Sequence, residues 1–320
     1  MQTTRMGAVL TSIRKETEHV LSIELRPTAD DKLFPAFTAG AHIDCYLGNG
    51  IVRSYSLCNS PNEQHRYVIG VLKDRNSRGG SQWIHDQLQL GDAIQISAPR
   101  NNFNLVEAAP HTVLLAGGIG ITPFLSMAQR LKKLGRKALL FYCVRGCHDL
   151  AFIQQLRDMT DSQFELRVHL DDEMGGPLDI ERSLAGLGAE GHYYCCGPTG
   201  MLNAFASACD RLGYRHRHVE RFHASLNMSS PTREFTVELA RSGKAIQINE
   251  EESLLQGLLR HGVLMEYSCQ EGMCGACEIP VLSGEIDHRD SILSEAERQA
   301  GQTIITCVSR GKSDILVLDL

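Results

Sequence analysis

Four cysteines near the end of the chain constrain what it can fold into more than any other feature. They fall as Cys269-Gln-Glu-Gly-Met-Cys274-Gly-Ala-Cys277, and Cys307 follows after 29 further residues. Three thiols on one short loop surround a small object only if the loop wraps tightly. Gly272 and Gly275 supply the backbone freedom for this, and Ala276 adds little bulk. A fourth ligand from a distant strand then ties the loop down. Structural zinc also accepts four cysteines, but usually draws them from two separated C-x2–4-C pairs. Here three share one loop, which favours an iron–sulfur core over zinc or uncoordinated thiols.

The order C-x4-C-x2-C…C is the spacing of plant-type [2Fe–2S] ferredoxins. In such a loop backbone N–H groups approach and hydrogen-bond the sulfurs. The surrounding segment is acidic: Ser229–Leu320 holds 8 Lys/Arg and 15 Asp/Glu, whereas Met1–Met228 holds 24 and 23. An acidic surface round an anionic cluster suits docking to a basic face on an electron acceptor; a solvated surface with no docking role fits equally well. The other seven cysteines (Cys45, Cys58, Cys143, Cys147, Cys195, Cys196, Cys209) lie in apolar or strand-like contexts and read as buried thiols.

With 320 residues, 42% apolar and 22% charged, the chain is long enough for two or three cores and matches no disordered class. Its net charge of −6 argues against general attraction to nucleic acid or anionic membranes. The longest weakly polar stretch, Thr112–Ala128, is broken by Gly117, Gly118, Gly120 and Pro123 and is too short to span a bilayer. No apolar h-region follows Met1–Gly7, so a cytoplasmic location is expected.

From Ala8 to Pro99 short runs rich in Val, Ile and Tyr predict strands at His19–Leu25, His42–Leu47, Val52–Leu57, Tyr67–Lys73 and Asp92–Ser97, a sandwich or barrel pattern. One helix opens at Ser81. After Asn104 the texture alternates. Strands are predicted at Thr112–Ala116, Ala138–Val144, Phe164–Leu170, His192–Cys196 and Arg217–Phe222, with helices at Pro123–Leu134, Leu150–Met159, Asp179–Leu184 and Gly200–Leu212. That alternation implies a parallel sheet covered on both faces. Ala224–Arg233 reads as a linker. Beyond it come a hairpin (Glu234–Ala240, Lys244–Ile248), an amphipathic helix (Ser253–His261) and strands near Ile304–Cys307 and Ile315–Leu318.

Two glycine turns stand where a strand meets a helix. Gly117-Gly118-Ile119-Gly120-Ile121-Thr122-Pro123 follows the first strand of the alternating region, and free N–H groups at a helix start favour an anion such as a pyrophosphate. The spacing is not G-x-G-x-x-G, so a merely tight turn stays open as the alternative. Cys195-Cys196-Gly197-Pro198-Thr199 is the second turn, with Thr199 expected as the helix N-cap. Both turns belong at the carboxyl edge of the sheet, where ligands bind. In the barrel-like region Arg53-Ser54-Tyr55-Ser56-Leu57 alternates, with Arg53 and Tyr55 on one face and Ser56 on the other. Arg53, Lys73 and the helix entrance Gly79-Gly80-Ser81 can converge on a phosphate. His85, His148, His169 and His288 show no ligand spacing.

With these motifs in order along essentially the whole chain, the sequence resembles the phthalate dioxygenase reductase family, which includes vanillate O-demethylase and carnitine monooxygenase reductases. RSYSL (Arg53–Leu57) is similar to the family's flavin motif, NSRGGS (Asn76–Ser81) to its phosphate turn, and GGIGITP (Gly117–Pro123) with CCGP (Cys195–Pro198) to its nicotinamide-nucleotide motifs. The terminal segment from the cysteine loop through DHRD (Asp287–Asp290) to VLDL (Val317–Leu320) is equally similar. The resemblance implies a multidomain α+β fold: an antiparallel flavin-binding β-barrel (1–104), an α/β parallel-sheet nucleotide-binding domain (105–224), a linker (225–233) and a C-terminal β-grasp ferredoxin domain (234–320).

It also implies roles. Arg53, Ser54, Tyr55, Ser56 and Val71 would hold FMN, with Ser56 near the ring N5, and Lys73, Gly79, Gly80 and Ser81 would hold its phosphate. Gly117, Gly118, Gly120, Thr122, Pro123, Gly197 and Pro198 would bind the nucleotide, and Cys196 would sit near the reactive ring. Phe222, in VERF, would cover the flavin or else be a plain core residue. Asp171 and Asp172 favour NADH and Arg145 the 2′-phosphate of NADPH; NADH is expected. Cys269, Cys274, Cys277 and Cys307 would ligate the cluster. The implied activity is NADH-dependent electron transfer through FMN and [2Fe–2S] to the Rieske centre of a separate terminal oxygenase. A redox-sensing regulator, or a free-standing flavin reductase, are the competing readings.

Overall fold

The computed structural model describes residues 5–29, 32–75, 77, 79–222 and 233–320. The expected linker lies outside the described residues except for Arg233, as do Asn76 and Arg78 of the expected phosphate turn. The chain divides into two compact units, the first ending at Phe222.

The first unit opens with β1 (Met6–Lys15), β2 (Val20–Pro27), β3 (His42–Tyr46), β4 (Val52–Ser56), β5 (Tyr67–Leu72), helix α1 (Gly80–Gln87) and β6 (Ala93–Ile96). The strands form one antiparallel sheet in the order β4-β3-β6-β1-β2-β5. An isolated bridge between Leu57 and Ile69 brings the end of β4 round to β5, closing the sheet into a barrel. Its interior is filled by inward residues such as Leu10, Ile23, Leu25, Ile43, Tyr67 and Ile69, and Ile84 and Leu88 cap it from α1. β1 is the strand absent from the sequence reading. Its register shifts between Leu10 and Ser12, and that bulge breaks the two-residue alternation by which strands are recognised.

The same unit continues with β7 (Thr112–Gly117), α2 (Thr122–Lys133), β8 (Ala138–Val144), α3 (Ile153–Met159), β9 (Phe164–Leu170), α4 (Asp171–Met174), α5 (Ile180–Leu184), β10 (His192–Cys196), α6 (Thr199–Leu212) and β11 (Arg217–Glu220). The five strands are parallel, in the order β11-β10-β7-β8-β9. Along β7, Leu114 and Ala116 enter one core while Val113 and Leu115 enter another, so the sheet is covered on both faces as the continuous apolar strands demand. α3 begins later than expected because Phe152 is left-handed (φ 58°), which no helix interior accepts. Thr199 is not the N-cap of α6. Pro198 holds that position with extended backbone, φ −59° and ψ 150°, so Thr199 is already the first helical residue.

Barrel and parallel sheet share a core. Val20, Ala39, Cys58 and Phe103 pack with Phe124, Leu125, Ala128 and Phe152. Ser126 Oγ accepts the Gly40 N–H at 3.1 Å, and Gln129 Nε2 donates to the Cys58 carbonyl at 2.8 Å. Gly70 of β5 lies so close to α2 that a Cβ there would stand 2.6 Å from Thr122 Cγ2.

The second unit contains β12 (Phe235–Leu239), β13 (Lys244–Ile248), α7 (Leu254–Arg260), β14 (Glu278–Ser283), β15 (Ile286–Asp287), α8 (Glu295–Ala300), β16 (Thr303–Ile305), β17 (Arg310–Gly311) and β18 (Ile315–Leu318). Its main sheet runs β13-β12-β18-β14-β16, with β12 and β18 parallel at the centre. α7 packs Leu254 and Leu258 onto this sheet, the β-grasp arrangement. Ser253 and Gln256 form a reciprocal capping box that fixes where α7 starts. Among the described residues no helix is long and apolar enough to cross a membrane.

Candidate functional site

β7 and β10 are neighbours in the sheet, and the chain leaves them in opposite directions: β8 and β9 lie on one side, β11 on the other. That is the topological switch point, where an open parallel sheet has its ligand crevice. Both glycine turns sit there. A Cβ on Gly120 would stand 2.2 Å from the Cys196 carbonyl oxygen, and one on Gly117 would stand 2.7 Å from Pro198 Cδ. A Cβ on Gly197 would lie 3.0 Å from Gly117 Cα. The glycines therefore let two backbones touch and leave the turn surface to a ligand. Gly118 is left-handed (φ 54°) with no neighbour within 4 Å of a Cβ, so it faces open space. A single turn of 3-10 helix, Gly118–Ile121, precedes α2, and Thr122 Oγ1 donates to the Ile119 carbonyl.

At the next two strand ends, Arg145 follows β8 and Asp171 begins α4 after β9. The Asp172 N–H donates to the Arg145 carbonyl at 2.9 Å, joining these loops, and Asp171 lies 3.4 Å from His169 Nε2. Cys147, expected to be buried, is exposed here. It sits in a short 3-10 turn after β8 rather than in the strand, so its side chain has no core to enter.

Cys196 ends β10 and is wholly buried, with its Sγ 4.0 Å from Glu220 Oε2. Burial, reinforced by Glu220, pushes the thiol well above its ordinary pKa, so it is a neutral S–H. Burial likewise raises the Glu220 carboxyl to about 8. Phe222 lies two residues beyond and packs, half-buried, against the shared core. Glu220 was missed by the sequence reading. Nothing in the Arg-His-Val-Glu run of β11 marks it; it stands out only through its register with Cys196.

On the barrel side Ser56 is buried at the end of β4 and Tyr55 packs on the barrel core. The Arg53 side chain lies across Gly80, where a Cβ would meet its Cγ at 2.6 Å. Gly79, the N-cap of α1, is left-handed (φ 89°) and has no side chain to cap the helix; the Gly79 and Gln82 N–H groups donate to Ser77 Oγ at 3.2 and 3.4 Å. Ser77 and Ser81 hydroxyls meet at 3.1 Å beside it. Arg53, Gly79, Gly80 and Ser81 thus make a cradle suited to a phosphate. Lys73 stands at its edge, ion-paired with Asp86 at 2.6 Å. Val71 is buried in β5, its carbonyl 3.0 Å from His85 Nε2. Ser54 stands between Arg53 and Tyr55, and its hydroxyl donates to Asp44 Oδ1 at 2.7 Å.

In the second unit Cys269, Cys274, Cys277 and Cys307 are all buried. Left-handed Gln270, Gly272 and Gly275 curl the loop round them. Backbone N–H groups aim at sulfur, among them Cys269 N–H to Cys274 Sγ at 3.5 Å, Glu271 N–H to Cys269 Sγ at 3.4 Å, and Gly272 N–H to Cys307 Sγ at 3.3 Å. Asp290 braces the loop from outside, accepting the Ile292 and Leu293 N–H groups, while the Ser291 N–H donates to the Gly272 carbonyl. The four thiols lie in two pairs, Cys269 beside Cys274 and Cys277 beside Cys307. The Cys274 thiol, helped by N–H groups of Glu271, Met273 and Cys274, lowers Cys269 to about 6. Among the described residues no three His, Cys, Asp or Glu converge as they would round one metal ion. Two thiol pairs fit a core of two irons, each taking two cysteines.

Two family models match the chain, an oxidoreductase NAD-binding domain over residues 114–207 and a 2Fe-2S iron-sulfur cluster binding domain over residues 237–312. The phenoxybenzoate dioxygenase subunit beta of Ectopseudomonas oleovorans is 46% identical over 307 residues, covering 95% of this chain and 93% of that one. Tetrachlorobenzoquinone reductase of Sphingobium chlorophenolicum is 45% identical over 314 residues, covering 97% of each. The crystal structure of phthalate dioxygenase reductase, described as carrying electrons from pyridine nucleotides to [2Fe–2S], matches with a TM-score of 0.72 and 37% identity over 99% of this chain and 98% of that one.

Fold and site together define an NADH-dependent flavin iron–sulfur oxidoreductase, with FMN, NADH and a [2Fe–2S] cluster as its cofactors. The chain belongs to the phthalate dioxygenase reductase family.

Proposed function

We propose that this chain is the reductase component of a two-component oxygenase, delivering electrons from NADH to the Rieske centre of a separate protein. The observation that carries the reading is the contact of the two cofactor regions. The nucleotide turn reaches its helix at Thr122, directly against Gly70 of β5, beside Val71 and across from the β4 motif. A nicotinamide held at that turn would face a flavin held on β4 and β5. FMN accepts a hydride and releases electrons singly, the conversion needed between a two-electron donor and a one-electron cluster.

The residues divide the work. Arg53, Gly79, Gly80 and Ser81, with Lys73, hold the flavin phosphate; Tyr55, Ser56 and Val71 position the ring. Gly117, Gly118, Gly120, Thr122, Pro123, Gly197 and Pro198 bind the dinucleotide, with Arg145 and Asp171 at its far ribose. Cys196 and Phe222 shape the nicotinamide side. Glu220, protonated at neutral pH beside Cys196, keeps that pocket uncharged. Cys269 and Cys274 ligate one iron and Cys277 and Cys307 the other. Eleven cysteines, four of them at the cluster and seven elsewhere, suit a cytoplasmic protein, where thiols stay reduced.

Anaerobic mixing of the protein and NADH with a purified Rieske oxygenase should bleach the oxygenase only when both are present. Turnover of quinones or free flavin alone, with no Rieske protein reduced, would overturn the reading. A second reading, direct quinone reduction, is favoured by the 45% identity to tetrachlorobenzoquinone reductase. It predicts NADH-dependent consumption of that quinone by this protein alone.

A further inference from the structure

β4 is the last strand in the barrel's sheet order, paired along its length to β3. A strand held mainly by one neighbour is open to slippage, and a slip of one residue sends every side chain to the opposite face. For β4 that would move Arg53 away from Gly80 and Tyr55 out of the barrel core.

One buried polar group stands against this. Asp44 lies opposite Ser54 in the β3–β4 register. Its side chain is only 2% exposed, on the face of β3 opposite Ile43 and Cys45, which enter the barrel core. Ser54 Oγ donates to Asp44 Oδ1 at 2.7 Å, and Arg100 Nη2 donates to Oδ2 at 2.6 Å. Arg100 is fixed in turn, because its backbone exchanges two hydrogen bonds with His42, of 2.8 and 3.0 Å. The Asp44 backbone is clamped likewise, donating to Ser97 Oγ at 2.9 Å and accepting the Ser97 N–H at 2.9 Å. Burying a carboxylate is costly unless it is paired, and an apolar pair would fill the same space more cheaply. What an apolar pair lacks is direction. A short hydrogen bond from Ser54 to a carboxylate held on its far side by a guanidinium exists in one register only, and it falls between Arg53 and Tyr55.

We infer that Asp44, acting through Ser54 and anchored by Arg100, is a positioning residue for FMN: it locks the register of β4 and so places Arg53 and Tyr55. Ser54 then supports the site from behind instead of touching the flavin with its hydroxyl. The inference rests on β4 being the flavin strand, and the test separates the two.

The test is the FMN dissociation constant of the intact protein, followed by the fluorescence of released FMN, together with the visible circular dichroism of the bound flavin. Ser54→Ala keeps the Asp44–Arg100 pair and removes only the link. It should weaken FMN about tenfold, as loss of one hydrogen bond to a charged group does, and alter the visible dichroism. Asp44→Asn should weaken it at least as much. Ser54→Thr, which keeps the hydroxyl and suits a strand, should bind FMN as the wild type does. Arg53→Ala reports on β4 itself. If Arg53→Ala loses FMN while Ser54→Ala binds it normally with an unchanged spectrum, the positioning role is overturned and the β4 site stands. If Arg53→Ala also binds FMN normally, β4 is not the flavin strand and both fall. Should Asp44→Asn fail to fold, the Ser54 pair decides alone.

Discussion

Replacing Gly120 with alanine tests how tightly the nucleotide site is built. The new Cβ would stand 2.2 Å from the Cys196 carbonyl oxygen, 2.5 Å from its carbon and 2.9 Å from the Gly197 nitrogen. All three are backbone atoms, so no side chain can swing aside. Ordinary contact begins at 3.4 Å, so one turn must retreat from the other by about 1.2 Å, the difference between 3.4 and 2.2. Overpacking of that kind costs about 1–3 kcal/mol. The functional effect is larger, since a binding group misplaced by about 1 Å lowers catalytic efficiency by roughly 100-fold. Steady-state NADH–ferricyanide reduction should show kcat/KM for NADH reduced by about that factor, with FMN and iron content unchanged. Gly135→Ala is the control: Gly135 is left-handed (φ 63°), which Gly120 is not, but a Cβ there meets nothing within 4 Å. It should lower Tm slightly and leave KM alone. A Gly120→Ala protein whose kcat/KM stays within about twofold of wild type would refute the two-turn account, because such a change is worth under 0.5 kcal/mol.

Cys274→Ser removes one thiol of the Cys269 pair; iron content and cytochrome c reduction should collapse while NADH–ferricyanide activity persists, and retention of both would contradict the cluster's place in the path. Burial raises Glu220 to about 8 from an ordinary 4.5, so its contribution to stability is complete below about pH 4.5 and is lost as pH rises through 8. Glu220→Gln should flatten the fall in unfolding free energy between those pH values, of order a few kcal/mol in the wild type; an unchanged slope would place Glu220 in water. His218 shifts the other way, lowered to about 4 by burial first and then by His192 and His216. Its contribution is present above about pH 6.5 and is lost as pH falls towards 4, so thermal melts of His218→Asn should show a shallower acid limb than wild type.

The cluster site was legible because its chemistry is written as spacing along the chain, and spacing survives folding. The glycine turns were legible as turns, but their ligand depended on β7 and β10 being neighbours, which local pattern does not state. Strand β1 was hidden by its bulge. β14 was hidden for a similar reason: its register shifts between Val281 and Ser283, and Glu278, Pro280, Leu282 and Ser283 all face solvent, so no clean apolar face repeats. Glu220 was invisible as a functional candidate because an acidic residue near a strand end ordinarily faces water; only its pairing with Cys196 across β10 and β11 shows it half-buried beside that thiol. The hydroxyl acceptor of Ser54, Asp44, is ten residues away and becomes visible only through the register of a hairpin. Cys147 misled in the opposite sense, since its apolar neighbours belong to β8 and the chain has already turned outward where it stands.

The central claim is that electrons pass from NADH through a flavin to a two-iron cluster within this one chain. Anaerobic titration of the purified protein with NADH, followed optically and then by low-temperature EPR, tests it most directly. The account predicts bleaching of the flavin bands together with a paramagnetic signal from a reduced [2Fe–2S] cluster. A colourless protein containing zinc, or a flavin that bleaches while an intact cluster stays oxidised, would contradict it.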